Sequence, residues 1–116
     1  MGEVTIYHNP RCSKSRQTLA LLNNRGLSPH VVHYLDSPPS PATLKRLLSL
    51  LQLKPRELMR RQEAPYTELR LDDPSLGDDE LIDAMASHPI LIERPIVEAN
   101  GRAVLGRPPE NVLQIL

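Results

Sequence analysis

Two short β-branched runs lie within the first 35 residues of this chain, joined by a stretch with helical spacing. No other feature constrains the fold as much. Val4-Thr5-Ile6-Tyr7 reads as a strand, and so does Val31-Val32-His33-Tyr34-Leu35. Between them Thr18, Leu19, Leu21 and Leu22 give a helix an apolar side, and Gly26 is a natural stop. Two strands joined through a helix are parallel when they share a sheet. The chain is therefore expected to begin with a βαβ unit.

The only cysteine falls at the junction of the first strand and that helix. His8-Asn9-Pro10-Arg11 reads as a turn, Cys12 follows, and Ser13-Lys14-Ser15-Arg16 opens the helix. A thiol there faces the unpaired N–H groups of the first helical turn. Those groups and the helix dipole favour thiolate over thiol and also bind anions. The local charge agrees. No Asp or Glu occurs from Val4 to Leu35, whereas Arg11, Lys14, Arg16 and Arg25 all lie there. The chain as a whole is neutral, with 14 basic and 14 acidic residues, and Asp72, Asp73, Asp78, Asp79, Glu80 and Asp83 supply much of the balance.

Downstream, Ser40 suits a helix cap with Pro41 at the first helical position, and Leu44, Leu47, Leu48 and Leu51 follow at helical spacing. A short helix is expected from Pro55, carrying Leu58, Met59, Arg60 and Arg61. Another begins at Asp78-Asp79-Glu80 and ends at His88-Pro89. Pro95–Ala99 and Arg102–Leu105 read as an antiparallel pair about the hairpin dipeptide Asn100-Gly101. Pro108-Pro109-Glu110 starts a last helix with Val112, Leu113 and Leu116. The order is β-α-β, then helices, then β-β-α. This describes an α/β, thioredoxin-like fold with a mixed four-stranded sheet. We expect a single domain over 1–116, its core at about 1–39 and 89–116, with a helical insertion at about 40–88.

Composition narrows the function. Apolar residues make up 40% of the 116, enough for one core, though with no Trp or Phe that core must be built from Leu, Ile and Val. Neutral charge argues against a nucleic-acid partner. No apolar run approaches a membrane span, and the start does not resemble a secretory signal. One cysteine excludes an internal disulfide. A cytoplasmic, monomeric protein with no membrane association is expected.

Cys12-Ser13-Lys14-Ser15 is a Cys-x-x-Ser motif, so an adduct at Cys12 must be resolved by an outside thiol. A phosphatase-type Cys-x5-Arg loop would need Arg at position 18, where Thr18 stands. Arg94-Pro95 and Gly106-Arg107-Pro108 place guanidinium groups, which suit tetrahedral oxyanions, beside prolines at the ends of extended segments. Pro95 precedes a strand where thioredoxin-like folds carry a cis proline, and a cis Arg94–Pro95 bond is expected. His8 is either a base or hydrogen-bond partner for Cys12 or a stabiliser of the turn. Ser15 is either a donor to the thiolate or a neutral first-turn residue. His30 and His33 are read on opposite faces of the second strand, and no metal site is expected.

These segments resemble the glutaredoxin-dependent arsenate reductases of the ArsC family. The resemblance rests on Tyr7-His8-Asn9-Pro10-x-Cys12-x-x-Ser15-Arg16, Tyr34-Leu35, Pro38-Pro39, Arg60, His88–Val97 and Arg107-Pro108. It spans nearly the whole chain. The loop Arg11-Cys12-Ser13-Lys14-Ser15 is more basic and bulkier than the family's Ala-Cys-Gly-Thr-Ser type and is similar to a sister branch.

The resemblance implies that Cys12 attacks arsenate held by Arg60, Arg94 and Arg107. His8, Ser15 and Arg16 would support the thiolate, with glutathione as co-substrate, glutaredoxin as partner and no bound cofactor. The neighbouring Arg61 leaves open which guanidinium of that pair faces the anion. Two other functions fit the same fold. One is a regulator of the Spx type that binds RNA polymerase, although its redox-switching members use Cys-x-x-Cys. The other is a monothiol protein acting on glutathione-linked partners.

Overall fold

The computed structural model describes residues 3–116. Its strands are β1 (Val4–Tyr7), β2 (His30–Val32), β3 (Ile96–Ala99) and β4 (Arg102–Leu105). Its α-helices are α1 (Ser13–Asn24), α2 (Pro41–Leu51), α3 (Ala64–Glu68) and α4 (Asp78–Ser87). Short 3-10 segments cover Pro55–Leu58, Pro89–Leu91 and Pro109–Gln114. The chain divides into two compact units. One runs to Ser37 and resumes over Arg94–Leu116; the other is Pro38–Glu93. Among the described residues, no helix is long and apolar enough to cross a membrane.

In the first unit the strands form one mixed sheet in the order β2-β1-β3-β4. β1 and β2 are parallel, as their helical connection requires, and the other two pairings are antiparallel. The register lines up an apolar row across one face. Ile6 is opposite Val31 on one side and Val97 on the other, and Val97 is opposite Val104. Ile6 and Val97 are completely buried. Leu22 from α1 and Val112 and Ile115 from the C-terminal turn pack with them. The alternation of strand side chains thus gives α1 a surface to lie on. α1 ends in a Schellman arrangement: Gly26, at φ +77°, donates to the Asn23 carbonyl at 3.0 Å, and Leu27 donates to Leu22 at 3.2 Å. At the β3–β4 hairpin Asn100 and Gly101 have φ of +55° and +72°, the paired left-handed conformation that this dipeptide allows.

Two elements of this unit differ from expectation. The second strand stops at Val32, well short of Leu35. His8 N–H makes the last bond to it, at Val32 O, after which β1 has turned away and offers no further partners. The His33 carbonyl then closes a turn by accepting from Asp36 and Ser37. The final helix is a 3-10 turn. With three residues per turn, Val112 and Ile115 share its buried side, while Leu113 (43% exposed) and Leu116 (38%) point outward, contrary to the helical reading.

In the second unit, Ser40 caps α2 by accepting from Thr43 N–H at 3.1 Å, with Pro41 behind it. Leu44, Leu47 and Leu48 turn inward. α4 carries Asp78, Asp79 and Glu80 in its first turn and buries Leu81, Ile82 and Met85. The helix expected from Pro55 to Arg61 is only a 3-10 turn ending at Leu58. Beyond it Met59 bridges Ile92, Arg60 N–H donates to Leu91 O (2.7 Å), and Glu93 N–H donates to Leu58 O (2.8 Å). Backbone pairing with 91–93 displaces helical bonding there. α3, around the buried Tyr66, had no clear sequence signal.

Leu22 is the helix's deepest side chain in the apolar layer, so Leu22→Ala is expected to lower unfolding stability by about 2–5 kcal/mol. Urea denaturation checks this, and a loss below about 1 kcal/mol would show that α1 settles into the space left behind.

Candidate active site around Cys12

The loop after β1 is built by its own backbone. Cys12 N–H donates to Asn9 O (3.0 Å), Arg11 N–H donates to the Asn9 side-chain oxygen (2.9 Å), and Arg16 N–H donates to Cys12 O (3.0 Å). Cys12 is thus the N-cap of α1, in extended conformation. Its sulfur therefore lies at the end of the helix where backbone N–H groups have no helical partner. The Arg16 guanidinium braces the loop by donating to Pro10 O at 3.0 Å.

Opposing effects act on the thiol. Burial pushes its pKa up. The Ser15 N–H, the Arg94 guanidinium through both hydrogen bond and charge, and the Lys14 N–H together outweigh burial and hold it below the usual cysteine value. Arg107 adds a second guanidinium. Its Nη1 lies 3.7 Å from Cys12 Sγ and donates to Arg94 O at 3.2 Å. Three of the sequence-picked residues, Cys12, Arg94 and Arg107, therefore meet at one point. A partly exposed thiolate with helix N–H groups and two guanidinium groups is equipped to attack an oxyanion and to stabilise charge on it.

His8 and Ser15 form a neighbouring pair. His8 Nδ1 lies 2.6 Å from Ser15 Oγ, and the same oxygen accepts from Asn9 N–H at 3.0 Å. Ser15 is completely buried. Its hydroxyl serves His8 and the loop, an arrangement contained in neither reading of Ser15, as a donor to the thiolate or as a neutral first-turn residue. Burial first, then His33 and Arg16, hold the His8 pKa below its ordinary value. The His33 ring packs edge-on to His8 with centroids 5.9 Å apart. The reading of His30 and His33 on opposite strand faces is corrected, because β2 ends before His33.

The arginine segments depend on a close approach that sequence did not reveal. The Arg94–Pro95 bond is cis as expected, and Arg107–Pro108 is also cis. Gly106 N–H donates to Pro95 O at 2.9 Å, and Gly106 O accepts from Thr18 Oγ1 at 3.2 Å. A Cβ at Gly106 would stand 2.6 Å from Thr18 Oγ1 and 2.8 Å from Pro95 Cγ, so no other residue fits without displacement. Asn111 closes the segment by donating to Arg107 O at 3.1 Å. No local signal marks Thr18 or Asn111, since their partners are set by tertiary packing.

Arg60 belongs to the second unit. It is held by Glu93 Oε1 at 2.6 Å from Nη1 and by Glu63 Oε2 at 3.2 Å from Nε. Burial disfavours its charge, but the two carboxylates, Glu93 foremost, raise its pKa above the ordinary value. Arg61 is exposed. Among the described residues no cluster of His, Cys, Asp or Glu could hold a metal ion.

Comparison with known proteins adds to this geometry. The ArsC family model matches residues 7–115. The chain belongs to the ArsC family. It is 56% identical to the uncharacterized protein YfgD of Escherichia coli, covering 98% of this chain and 97% of that one. It is 51% identical to an arsenate reductase of Neisseria meningitidis over the full length of both. The solved structure of an arsenate reductase from Vibrio cholerae superposes with a TM-score of 0.96 at 58% identity, covering 98% of each chain. Structural relatives of this ArsC protein thus share the α/β, thioredoxin-like architecture.

Two titrations check the site. Alkylation of Cys12 by iodoacetamide across pH should give an apparent pKa below about 8.5, and Arg94→Ala should raise it. A wild-type value at or above that reference would refute the activated thiolate. For His8, a folded pKa below the unfolded value of about 6.5 means that the unfolded chain binds more protons as pH drops. Its contribution to stability is therefore present above about pH 6.5 and lost as pH falls toward the folded pKa. Urea midpoints of the wild type should show a loss in that window that His8→Asn reduces.

Proposed function

We propose that the protein is an arsenate reductase whose nucleophile is Cys12. The observation that carries this reading is the convergence of the Ser15 N–H, Arg94 and Arg107 on the Cys12 sulfur in a member of the ArsC family. The thiolate attacks arsenic, an S–As bond forms, and one arsenate oxygen leaves as water after protonation. Arg94 and Arg107 balance the charge of the anion and of the adduct.

With one cysteine in the chain, the electrons come from outside. In keeping with the family resemblance, glutathione supplies one thiol and glutaredoxin the other. Glutathione adds to the arsenic and a second oxygen leaves as water. The glutaredoxin thiolate then takes the glutathione sulfur as a mixed disulfide, arsenic(V) becomes arsenic(III), and water cleaves the Cys12–arsenic bond to release arsenite and restore the thiol. His8, Ser15 and Arg16 hold the loop in which Cys12 sits. Arg60 enters as a third anion ligand through the resemblance, with Glu63 and Glu93 holding its guanidinium. A thiol that must return to its reduced form suits the cytoplasm.

The test is arsenite formation from arsenate with purified protein, glutathione and glutaredoxin. Cys12→Ser should abolish turnover. Arg94→Ala and Arg107→Ala should each lower kcat/KM by about 10- to 100-fold, the range for hydrogen bonds to charged groups. Absence of turnover in the wild type, with Cys12 still reactive, would reject arsenate as substrate.

A further inference from the structure

We infer that Thr18 is a positioning residue that sets where the Arg107 guanidinium stands relative to the nucleophile. The inference rests on the reading of Cys12 and Arg107 as nucleophile and anion ligand. Thr18 lies inside α1 and is completely buried. Its hydroxyl donates toward two carbonyls, Lys14 O at 2.8 Å and Gly106 O at 3.2 Å. The first is the ordinary way for a helical threonine to satisfy its hydroxyl. The second reaches 88 residues along the chain and leaves the helix altogether.

Both ends of this link are functional. Lys14 lies in the first turn of α1, directly after the Cys12 cap, so its carbonyl belongs to the turn that carries the nucleophile. Gly106 is bonded directly to Arg107, whose Nη1 comes within 3.7 Å of that sulfur. Gly106 is also held through its N–H to Pro95 O, next to Arg94. Three backbone segments thus meet at one hydroxyl and one glycine: the start of α1, the run from the end of β4 to Arg107, and Pro95. The fit is close. A Cβ on Gly106 would come within 2.9 Å of the Thr18 methyl carbon as well as striking Oγ1. A threonine facing a glycine here brings helix and strand end together at hydrogen-bonding distance. A hydrophobic side chain would pack at this point without fixing the rotation of the strand end.

The test compares Thr18→Val, which keeps the shape and removes the donor, with Thr18→Ser, which keeps the donor. One readout needs no substrate. At a fixed pH, the Cys12 alkylation rate with anionic iodoacetate is divided by the rate with neutral iodoacetamide. The thiolate fraction cancels, and the ratio reports the positive field at the sulfur. Thr18→Val and Arg107→Ala should each lower the ratio about threefold, Thr18→Ser should keep it, and the double variant should fall no further than Arg107→Ala alone. In arsenate turnover, Thr18→Val should raise KM about fivefold with kcat changed less than about twofold, the signature of lost uniform anion binding.

A wild-type ratio in Thr18→Val overturns the inference. So does an equal fall in Thr18→Ser, or a fall that adds to that of Arg107→Ala, because either result describes a general packing defect. Should the valine variant not fold, Thr18→Ala carries the same comparison. If the wild-type protein does not reduce arsenate, the functional reading fails, and the alkylation ratio still decides the role of Thr18.

Discussion

An anionic sulfur withdrawn from water persists only where donors replace the solvent it has lost. At Cys12 burial works against the thiolate, and the N–H groups of Ser15 and Lys14 together with Arg94 overcome it. The surrounding fold supplies those donors. β1 and the Asn9 turn deliver Cys12 to the start of α1, where N–H groups have no helical partner. The antiparallel pair β3 and β4 delivers Arg94 at its entrance and Arg107 at its exit. The apolar row through Val31, Ile6, Val97 and Val104 holds these strands in register under α1.

The charged groups divide into two kinds. Arg60 is held by Glu63 and Glu93, so its positive charge is largely offset within its own unit. Arg94 and Arg107 are directed at a sulfur, and the stretch from Val4 to Leu35 contains no acid. The excess positive charge accordingly stands where an anion would meet the nucleophile, although the chain as a whole is neutral. His8 is held below its ordinary pKa beside Ser15, which limits a further positive charge inside the loop.

Much of this was legible in sequence wherever a residue's role depends on its neighbours in the chain. The strand–turn–Cys12–helix order, the Ser40-Pro41 cap and the Asn100-Gly101 hairpin are local matters of turn chemistry and periodicity, whereas the cis Arg94–Pro95 bond was expected from the fold class. The errors arise where distant partners decide. Val31–Leu35 has strand composition throughout, but β1 offers bonds only as far as Val32. Leu58–Arg61 was read as the continuation of a helix begun at Pro55, but pairing with 91–93 draws it into extended backbone. Leu113 and Leu116 fit a helix face, whereas a 3-10 turn buries Val112 and Ile115.

By itself the sequence determined an N-terminal βαβ unit, a lone thiol at a helix start in a basic stretch, and the need for an outside thiol to resolve any adduct. These follow from local conformational preference, charge and a count of one cysteine. Tertiary structure alone decided that Arg94 and Arg107 meet at Cys12 and that the Ser15 hydroxyl turns to His8. It also decided that Thr18 reaches Gly106 across 88 residues. Those contacts depend on sheet register and on how closely two backbones approach, and neither quantity is encoded at any one position.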